Sequence, residues 1–498
     1  MKENEIQCLL KKNNAYIVAP AGHGKTEMIV DLVKHSAEKV LVLTHTNAGV
    51  YVLNQRFRRN AVAPVKYSIN TIASFCIQWC RAYPHIGNFK QSIDLFDEGK
   101  TNEYYNSLYK GMAKILTFPW AGKILKESYS AVIIDEYQDC LLLQQSIFQE
   151  MNNYIKVWVL GDPLQGIFGW AGELVSWQKM PFEEFKIDTY PWRWEKTNKK
   201  LGQYLKNKCR KKIQALLTTH SEKLELANED GVLRLWLYEQ NKNYQKIVQE
   251  CLMSAKKKYQ SVLVISSSYN PNEQCNIAKM ATPVFQMDDP LASKELINVV
   301  HEIDETRGCK RMLCVINFLS KCSTYVNSNL ESYILNLEKN NTNFSRITKF
   351  AILKPFITKA VELDNLNVLS EFMSAFYSAR NINSTRNFRI YRKYLFFKLK
   401  RVLDYAIDNS ISCKEALVQI NGKDSLDFKS KYDFLISRPV LCKGLEAECV
   451  VIVKPDEFTP KDLYVAMTRA TKMIYIILNS NFKNKATSKQ PLYYISLK

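Results

Sequence analysis

Ala19-Pro20-Ala21-Gly22-His23-Gly24-Lys25-Thr26 is the stretch on which the fold reading turns. Tyr16-Ile17-Val18 before it is a short apolar run suited to a buried parallel strand. After it, Met28, Ile29, Leu32 and Val33 recur at helical spacing. Strand, glycine-rich loop and helix in that order make a phosphate cradle. Gly22 and Gly24 let the backbone of Ala21 to Gly24, His23 included, approach phosphate oxygens; Lys25 reaches the terminal phosphates and the Thr26 hydroxyl ligates Mg²⁺. Ala19 stands where the strict pattern has glycine, so the loop alone is open to a second reading as a chance glycine-rich turn.

Further along, Ala131-Val132-Ile133-Ile134 is an apolar strand that ends in Asp135-Glu136-Tyr137-Gln138-Asp139. A buried strand closing on two carboxylates is a second nucleotide-hydrolase signature. Asp135 would hold Mg²⁺, and Glu136 would orient or deprotonate the attacking water. Between the two signatures, Lys39 to Thr44 reads as another buried strand with the polar tip His45-Thr46-Asn47, and Ser68-Ile69-Asn70-Thr71 leads into a helical Ile72 to Cys80. Ligands of open parallel sheets sit at the carboxyl ends of strands, where these polar tips fall. A fourth strand, Val157 to Leu160, runs into Gly161-Asp162-Pro163-Leu164-Gln165-Gly166-Ile167-Phe168-Gly169-Trp170. That loop is suited to sensing phosphate at one end and stacking bases at the other, with Phe168 and Trp170 equally open to a core reading. Gln7 is either a reader of a purine edge or an ordinary exposed glutamine.

The 498 residues carry a formal net charge of +20, which points to a polyanionic partner or to a merely lysine-rich chain. The 13 cysteines have no paired CxxC spacing and there are only 6 histidines, which argues against a zinc or iron–sulfur site. With no signal-peptide pattern and no apolar run near about 18 residues, the expectation is a cytoplasmic chain with reduced, mostly buried thiols and no membrane partner.

In the second half, Lys196, Lys199, Lys200, Lys206, Lys208, Arg210, Lys211 and Lys212 form a basic helical run, either a solvated face or a set of phosphate contacts. Val262 to Ile265 opens a new α/β unit, and from about Leu296 to Tyr432 the pattern is helical, with Leu366, Leu369, Phe372, Met373 and Phe376 at three- and four-residue steps. Within it, Arg386 to Arg401 interleaves basic residues with Phe388, Tyr391, Tyr394, Phe396 and Phe397, either a nucleic-acid face or an amphipathic helix with a packed aromatic side. The α/β pattern returns with Val450 to Val453 and Ile474 to Leu478, and the lysine-rich tail beyond Asn479 reads as loose.

Taken in order, IDEYQD (134–139), GDPLQGIFGW (161–170), KGLE (443–446) and YVAMTRA (464–470) resemble the motifs of superfamily 1 DNA helicases of the UvrD/Rep/PcrA type. The resemblance implies an α/β fold of two RecA-like P-loop motor domains with parallel sheets, each carrying a reduced, mainly helical inserted accessory domain. The implied boundaries are 1–80 with 129–190 for the first motor domain, 81–128 for its insertion, 191–295 with 435–498 for the second motor domain, and 296–434 for the larger insertion. It also implies an ATPase that moves 3′ to 5′ on single-stranded or tailed DNA. Its implied ATP and Mg²⁺ site comprises Gln7 on adenine, Lys25 and Thr26 on phosphate and Mg²⁺, Asp135 and Glu136 as the metal and water carboxylates, Gln165 sensing the γ-phosphate, Trp192 stacking on adenine, Arg193 and Arg469 on the phosphates, and Glu446 on ribose. On the DNA side it implies His45, Thr46, Asn47, Thr71, Phe168 and Trp170.

The chain departs from that pattern in His23, His45, Glu27 and Pro163-Leu164, none of which removes a catalytic group. The intervals set aside for the insertions are short. A looser resemblance, resting on length and trimmed insertions, is to the helicase-like subunit of Gabija-type anti-phage systems. It implies a different output: a DNA- or nucleotide-sensing ATPase in a hetero-oligomer that regulates a partner nuclease of the OLD/TOPRIM class.

Overall fold

Val40–Thr44 and Ala131–Ile134 are buried along their whole length, the mark of strands covered on both faces. The computed structural model describes residues 1–88, 98–169, 172–219, 223–240, 242–290, 293–380, 387–423, 432–483 and 492–497. They divide into two compact units, Met1–Arg234 with Phe458–Ile474 and Asn484–Lys498, and Leu235–Glu457 with Tyr475–Lys483.

Unit 1 is organised on a five-stranded sheet of β1 (Asn14–Val18), β2 (Val40–Thr44), β3 (Tyr67–Thr71), β4 (Ala131–Ile134) and β5 (Lys156–Gly161), in the order β1-β5-β4-β2-β3. Every pairing is parallel: Val18 sits opposite Gly161, Ile134 opposite Val159, Leu43 opposite Ile134, and Thr44 opposite Thr71. Side chains alternate across a sheet, and the core follows that period. Val40, Val42, Ile133 and Leu160 pack on one face against Met28, Ile29, Leu32 and Val33 of the helix Lys25–His35. Leu41, Leu43, Val132, Ile134, Val157 and Val159 pack on the other against the helices Ile72–Ala82, Glu98–Leu116, Pro119–Ser128 and Leu142–Met151. Because all five strands point the same way, the polar tips that follow β1, β2, β4 and β5 share one end of the sheet.

Of the tail expected to be loose beyond Asn479, residues 484–491 and 498 lie outside the described residues, and a short strand near its end is paired. β13 (Tyr493–Ile495) pairs antiparallel with β6 (Leu224–Leu226) inside unit 1, burying Tyr493 and Ile495. The expectation of a loose tail therefore fails for residues 493–495, whose apolar side chains have a strand to cover.

Unit 2 is built on a six-stranded sheet of β7 (Leu233–Tyr238), β8 (Val262–Ile265), β9 (Gln286–Met287), β10 (Phe434–Ser437), β11 (Ala447–Val453) and β12 (Ala470–Asn479), in the order β7-β12-β11-β8-β10-β9. Its β11–β8, β8–β10 and β10–β9 pairings are parallel. The chain passes between units within β7 and again within β12. A run of helices from Lys294–Glu305 to Cys413–Lys423 lies between β9 and β10. The molecule is thus α/β, with parallel sheets of the RecA-like P-loop kind. Among the described residues no helix is long and apolar enough to cross a membrane.

The basic aromatic segment of unit 2 resolves toward packing. Phe388, Tyr391, Tyr394 and Phe396 are buried, Arg392 is paired with Asp289 at 2.7 Å and Glu295 at 3.1 Å, and Lys400 with Asp404 at 2.9 Å. Burial, helped by the nearby Asp288 and Glu295 carboxylates, drives the Asp289 carboxyl up to about 6 despite Arg392. Arg386 lies outside the described residues.

Candidate nucleotide site

The loop after β1 turns on two glycines with positive φ, Gly22 at +72° and Gly24 at +87°, a region that costs side-chain-bearing residues energy. Gly24 is the N-cap of the helix Lys25–His35, so backbone N–H groups and the positive end of that helix meet at the loop, the arrangement that suits an anion. The loop is anchored from behind by Ala19 N–H to the Gly161 carbonyl (2.9 Å) and by Ala21 N–H to the Asp162 carboxylate (3.1 Å). His23 is 2% exposed, and its Nδ1–H donates to the Ala21 carbonyl at 2.8 Å. Burial pushes its ring down to about 4, so it is neutral in the fold.

Lys25, nearly buried, places Nζ 3.6 Å from the Glu136 carboxylate and 3.5 Å from the Ala19 carbonyl. Asp135 and Glu136 follow β4 directly. Glu136 takes a left-handed φ of +55°, and its N–H donates to Asp135 Oδ1 at 2.9 Å. Gln138 Nε2 donates to Glu136, while Gln138 Oε1 accepts the Asp162 N–H at 2.8 Å. Asp162 then receives Gln165 Nε2 at 3.1 Å, and Gln165 Oε1 accepts from Arg469 at 3.2 Å. Arg193 donates to the Thr468 carbonyl at 2.8 Å, and its own N–H to the Gly22 carbonyl at 3.0 Å. Lys25, Glu136, Gln165, Arg193 and Arg469 are therefore tied into one polar network around the loop, all within unit 1.

The two tryptophans flanking Arg193 differ. Trp194 is buried at 1% exposure, its indole N–H donates to the Ala470 carbonyl at 2.7 Å, and its ring lies against Gly22. Trp192 is 63% exposed, close to Gly24 and edge-on to Tyr190 at 4.8 Å. An exposed indole beside the loop is placed to stack on a base. Gln7 lies exposed in the helix Glu3–Leu10, and Glu446 lies in unit 2.

Thr26 in the first helical turn and the nearly buried Asp135 are the residues that could hold a divalent cation. A hydroxyl and a carboxylate are hard oxygen donors suited to Mg²⁺, which takes few protein ligands and leaves places for water and phosphate. No denser cluster of His, Cys, Asp and Glu occurs among the described residues.

Among the described residues expected on the DNA side, His45, Thr46, Asn47, Thr71 and Phe168 follow or end strands at the same end of the sheet. His45 follows β2, its Nε2 3.4 Å from Cys140 Sγ. Thr46 caps the helix Asn47–Arg59 by accepting the Gly49 N–H at 3.0 Å, with Asn47 exposed at its start. Thr71 caps the helix Ile72–Ala82 by accepting the Ser74 N–H at 3.0 Å, and is buried. Phe168 is half-buried, and Trp170 lies outside the described residues. Much of the basic run past residue 195 is committed internally: Lys199 to Glu195, Lys208 to Glu229, Lys212 to Glu225, and Lys206 to the Thr189 carbonyl.

Gln138, Asp162 and Tyr464 at the centre of the network have no individual role in the sequence reading, whereas Arg210, expected there on a solvated face or on phosphates with the rest of the basic run, is instead buried and paired with Asp162. Arg210 donates to Asp162 Oδ1 at 2.7 Å and to the Tyr464 hydroxyl at 2.9 Å, and that hydroxyl donates to Asp162 Oδ2 at 3.1 Å. Burial would raise the Asp162 carboxyl, but the charges of Arg210 and Lys25 outweigh it and hold it below the ordinary carboxylate range. The one signal for Arg210 was an arginine inside a run of lysines, since arginine is the cation that pairs best when buried.

The family profile described as an AAA domain matches residues 2–170. This is a P-loop domain of the kind found in UvrD/Rep-like helicases, and it indicates a nucleotide-hydrolysing, helicase-like chain. The match takes in the loop, Asp135, Glu136 and Gln165, and ends before Trp192, Arg193, Glu446 and Arg469. No curated protein matches the chain.

Proposed function

We propose that the protein is an ATP-driven motor of the UvrD-like kind that moves 3′ to 5′ on single-stranded DNA. The observation that carries the reading is the continuous polar chain from Lys25 through Glu136, Gln138, Asp162 and Gln165 to Arg469, at the end of a parallel sheet where a phosphate loop opens. Lys25, Gln165, Arg193 and Arg469 bind the phosphates and spread the charge that develops as the γ-phosphoryl leaves. Glu136 takes the proton of the attacking water as the new P–O bond forms and the bond to the β-phosphate oxygen breaks; ADP and phosphate are the products. A divalent cation at Thr26 and Asp135 supplies further charge neutralisation at the phosphates when bound. Trp192 stacks on adenine, with Gln7 as an additional nucleotide contact. Bases of the single strand stack on Phe168 and Trp170 while His45, Thr46, Asn47 and Thr71 meet its backbone; such stacking is worth about 1–3 kcal/mol per base and is blind to sequence. The charge of +20 favours that polyanion.

A second reading has one observation in its favour. Tyr104, Leu108, Met112, Ile115 and Leu125, in the interval between β3 and β4, are buried in the same core cluster as the sheet. Helices spent on the core are not free to part a duplex, which suits an ATPase that signals to a partner nuclease, as in an anti-phage defence complex. Strand displacement on duplexes with a 3′ or a 5′ tail separates the two readings. The motor reading predicts ATP-dependent release from the 3′-tailed substrate alone; DNA-stimulated hydrolysis without release from either substrate would favour the signalling reading.

A further inference from the structure

We propose that Arg210 and Tyr464 are positioning residues for ATP hydrolysis, acting through Asp162 to hold the phosphate loop and Gln165 in register. The inference rests on the reading of this site as an ATPase and adds to it the element that sets the geometry of its parts. Asp162 is fully buried and its carboxylate receives five donors: Ala21 N–H, Gln165 Nε2 and the Tyr464 hydroxyl on Oδ2, and Arg210 and Leu164 N–H (3.3 Å) on Oδ1. Only the ionised group can do this, because a neutral carboxyl has its own proton to place and fewer lone pairs to offer.

Two consequences follow for groups that would meet the substrate. The Ala21 bond fixes the first turn of the loop, three residues before Gly24 opens the helix. The Gln165 bond fixes which end of that amide faces outward: Nε2 is held by Asp162, so Oε1 is presented to Arg469. Arg210, itself 9% exposed, supplies the closest positive charge to the carboxylate. The other charged or titratable groups around it are Lys25 and His23 on the loop side, and Lys461 and Tyr464 on the helix Pro460–Met467. His23 is neutral, and Tyr464 is held in its phenol form, its pKa driven up by burial and by the carboxylate. Without Arg210 a buried carboxylate is left short of a partner, and the favourable response is to take up a proton and release donors. The loop and Gln165 then lose their shared reference point.

The test is steady-state ATP hydrolysis by the full chain with saturating single-stranded DNA. Arg210→Gln is expected to lower kcat/KM by about a hundredfold, the scale of a misplacement near 1 Å, and to move the acid limb of the pH–rate profile upward. Arg210→Lys keeps the charge and is expected to recover most of the loss with the original pH profile. In the Asp162→Asn background the further change Arg210→Gln is expected to cost little, because the two residues act as a unit. Wild-type kcat, KM and pH profile in Arg210→Gln, or fully additive losses in the double variant, would overturn the proposal. If Arg210→Gln does not fold, Asp162→Asn and Tyr464→Phe carry the test: either one, folded and with wild-type kcat and KM, overturns it. If the unaltered protein hydrolyses no ATP, the ATPase reading fails instead. The hub is then judged by binding of a fluorescent ATP analogue, which Tyr464→Phe must weaken.

Discussion

Gly22→Ala and Gly24→Ala look alike in sequence, yet the structure separates them. Both glycines have positive φ, and alanine there costs roughly 1–2 kcal/mol. At Gly22 the new Cβ would also stand 2.7 Å from two ring carbons of Trp194 and 3.0 Å from the Arg193 Cβ. Trp194 cannot swing aside, being 1% exposed and tied through its indole N–H to the Ala470 carbonyl. Overpacking of this kind adds about 1–3 kcal/mol, which puts Gly22→Ala near 2–5 kcal/mol in all. At Gly24 the Cβ meets Trp192 alone, Cδ1 at 3.3 Å and Nε1 at 3.9 Å, and that ring is 63% exposed rather than locked in the core. Thermal unfolding followed by tryptophan fluorescence should therefore place Gly22→Ala several degrees below Gly24→Ala, at about 2–4 °C per kcal/mol for units of this size. Equal melting temperatures, or a lower one for Gly24→Ala, would refute the claim that Trp194 braces the loop.

Thr71→Ala removes a helix cap and is expected to cost about 1 kcal/mol in stability, with Thr71→Ser restoring it; an unchanged melting temperature in Thr71→Ala would contradict the cap. His23 makes stability depend on pH. Its folded value of about 4 lies below the unfolded value near 6.5, so as pH falls below about 6.5 the unfolded chain gains the proton first and stability drops by roughly 1.4 kcal/mol per pH unit until about pH 4. His23→Gln should therefore lose less melting temperature than the unaltered protein between pH 7 and pH 5, and an equal loss in both would contradict the buried neutral ring.

Much of unit 1 is legible in the sequence because each of its central strands is an apolar run that stops abruptly at polar residues. Ile134 before Asp135 and Val18 before Ala19 show both the strand and the end at which chemistry gathers. The loop is legible for the same reason, since two glycines, a lysine and a threonine at fixed offsets leave few alternatives. What escapes the sequence is pairing at long range. Asp162 and Arg210 are 48 residues apart, and Asp162 and Tyr464 are 302 apart; no periodicity links them. The alternating basic and aromatic residues near 390 were ambiguous because charge on a helix does not reveal its partner, and the buried acid Asp289 decides it. β6 and β13 are three residues each, too short for a pattern to emerge before they pair. Thr46 and Thr71 stand at strand tips where a ligand contact and a helix cap call for the same hydroxyl.

The central claim is that the loop, the β4 carboxylates and a single strand of DNA work as one machine. The measurement that tests it most directly is the ATP hydrolysis rate with and without single-stranded DNA, for the unaltered protein, Lys25→Ala and Glu136→Gln. The account predicts hydrolysis that rises on adding DNA and is abolished in both variants. Hydrolysis indifferent to DNA, or surviving in either variant, would contradict it.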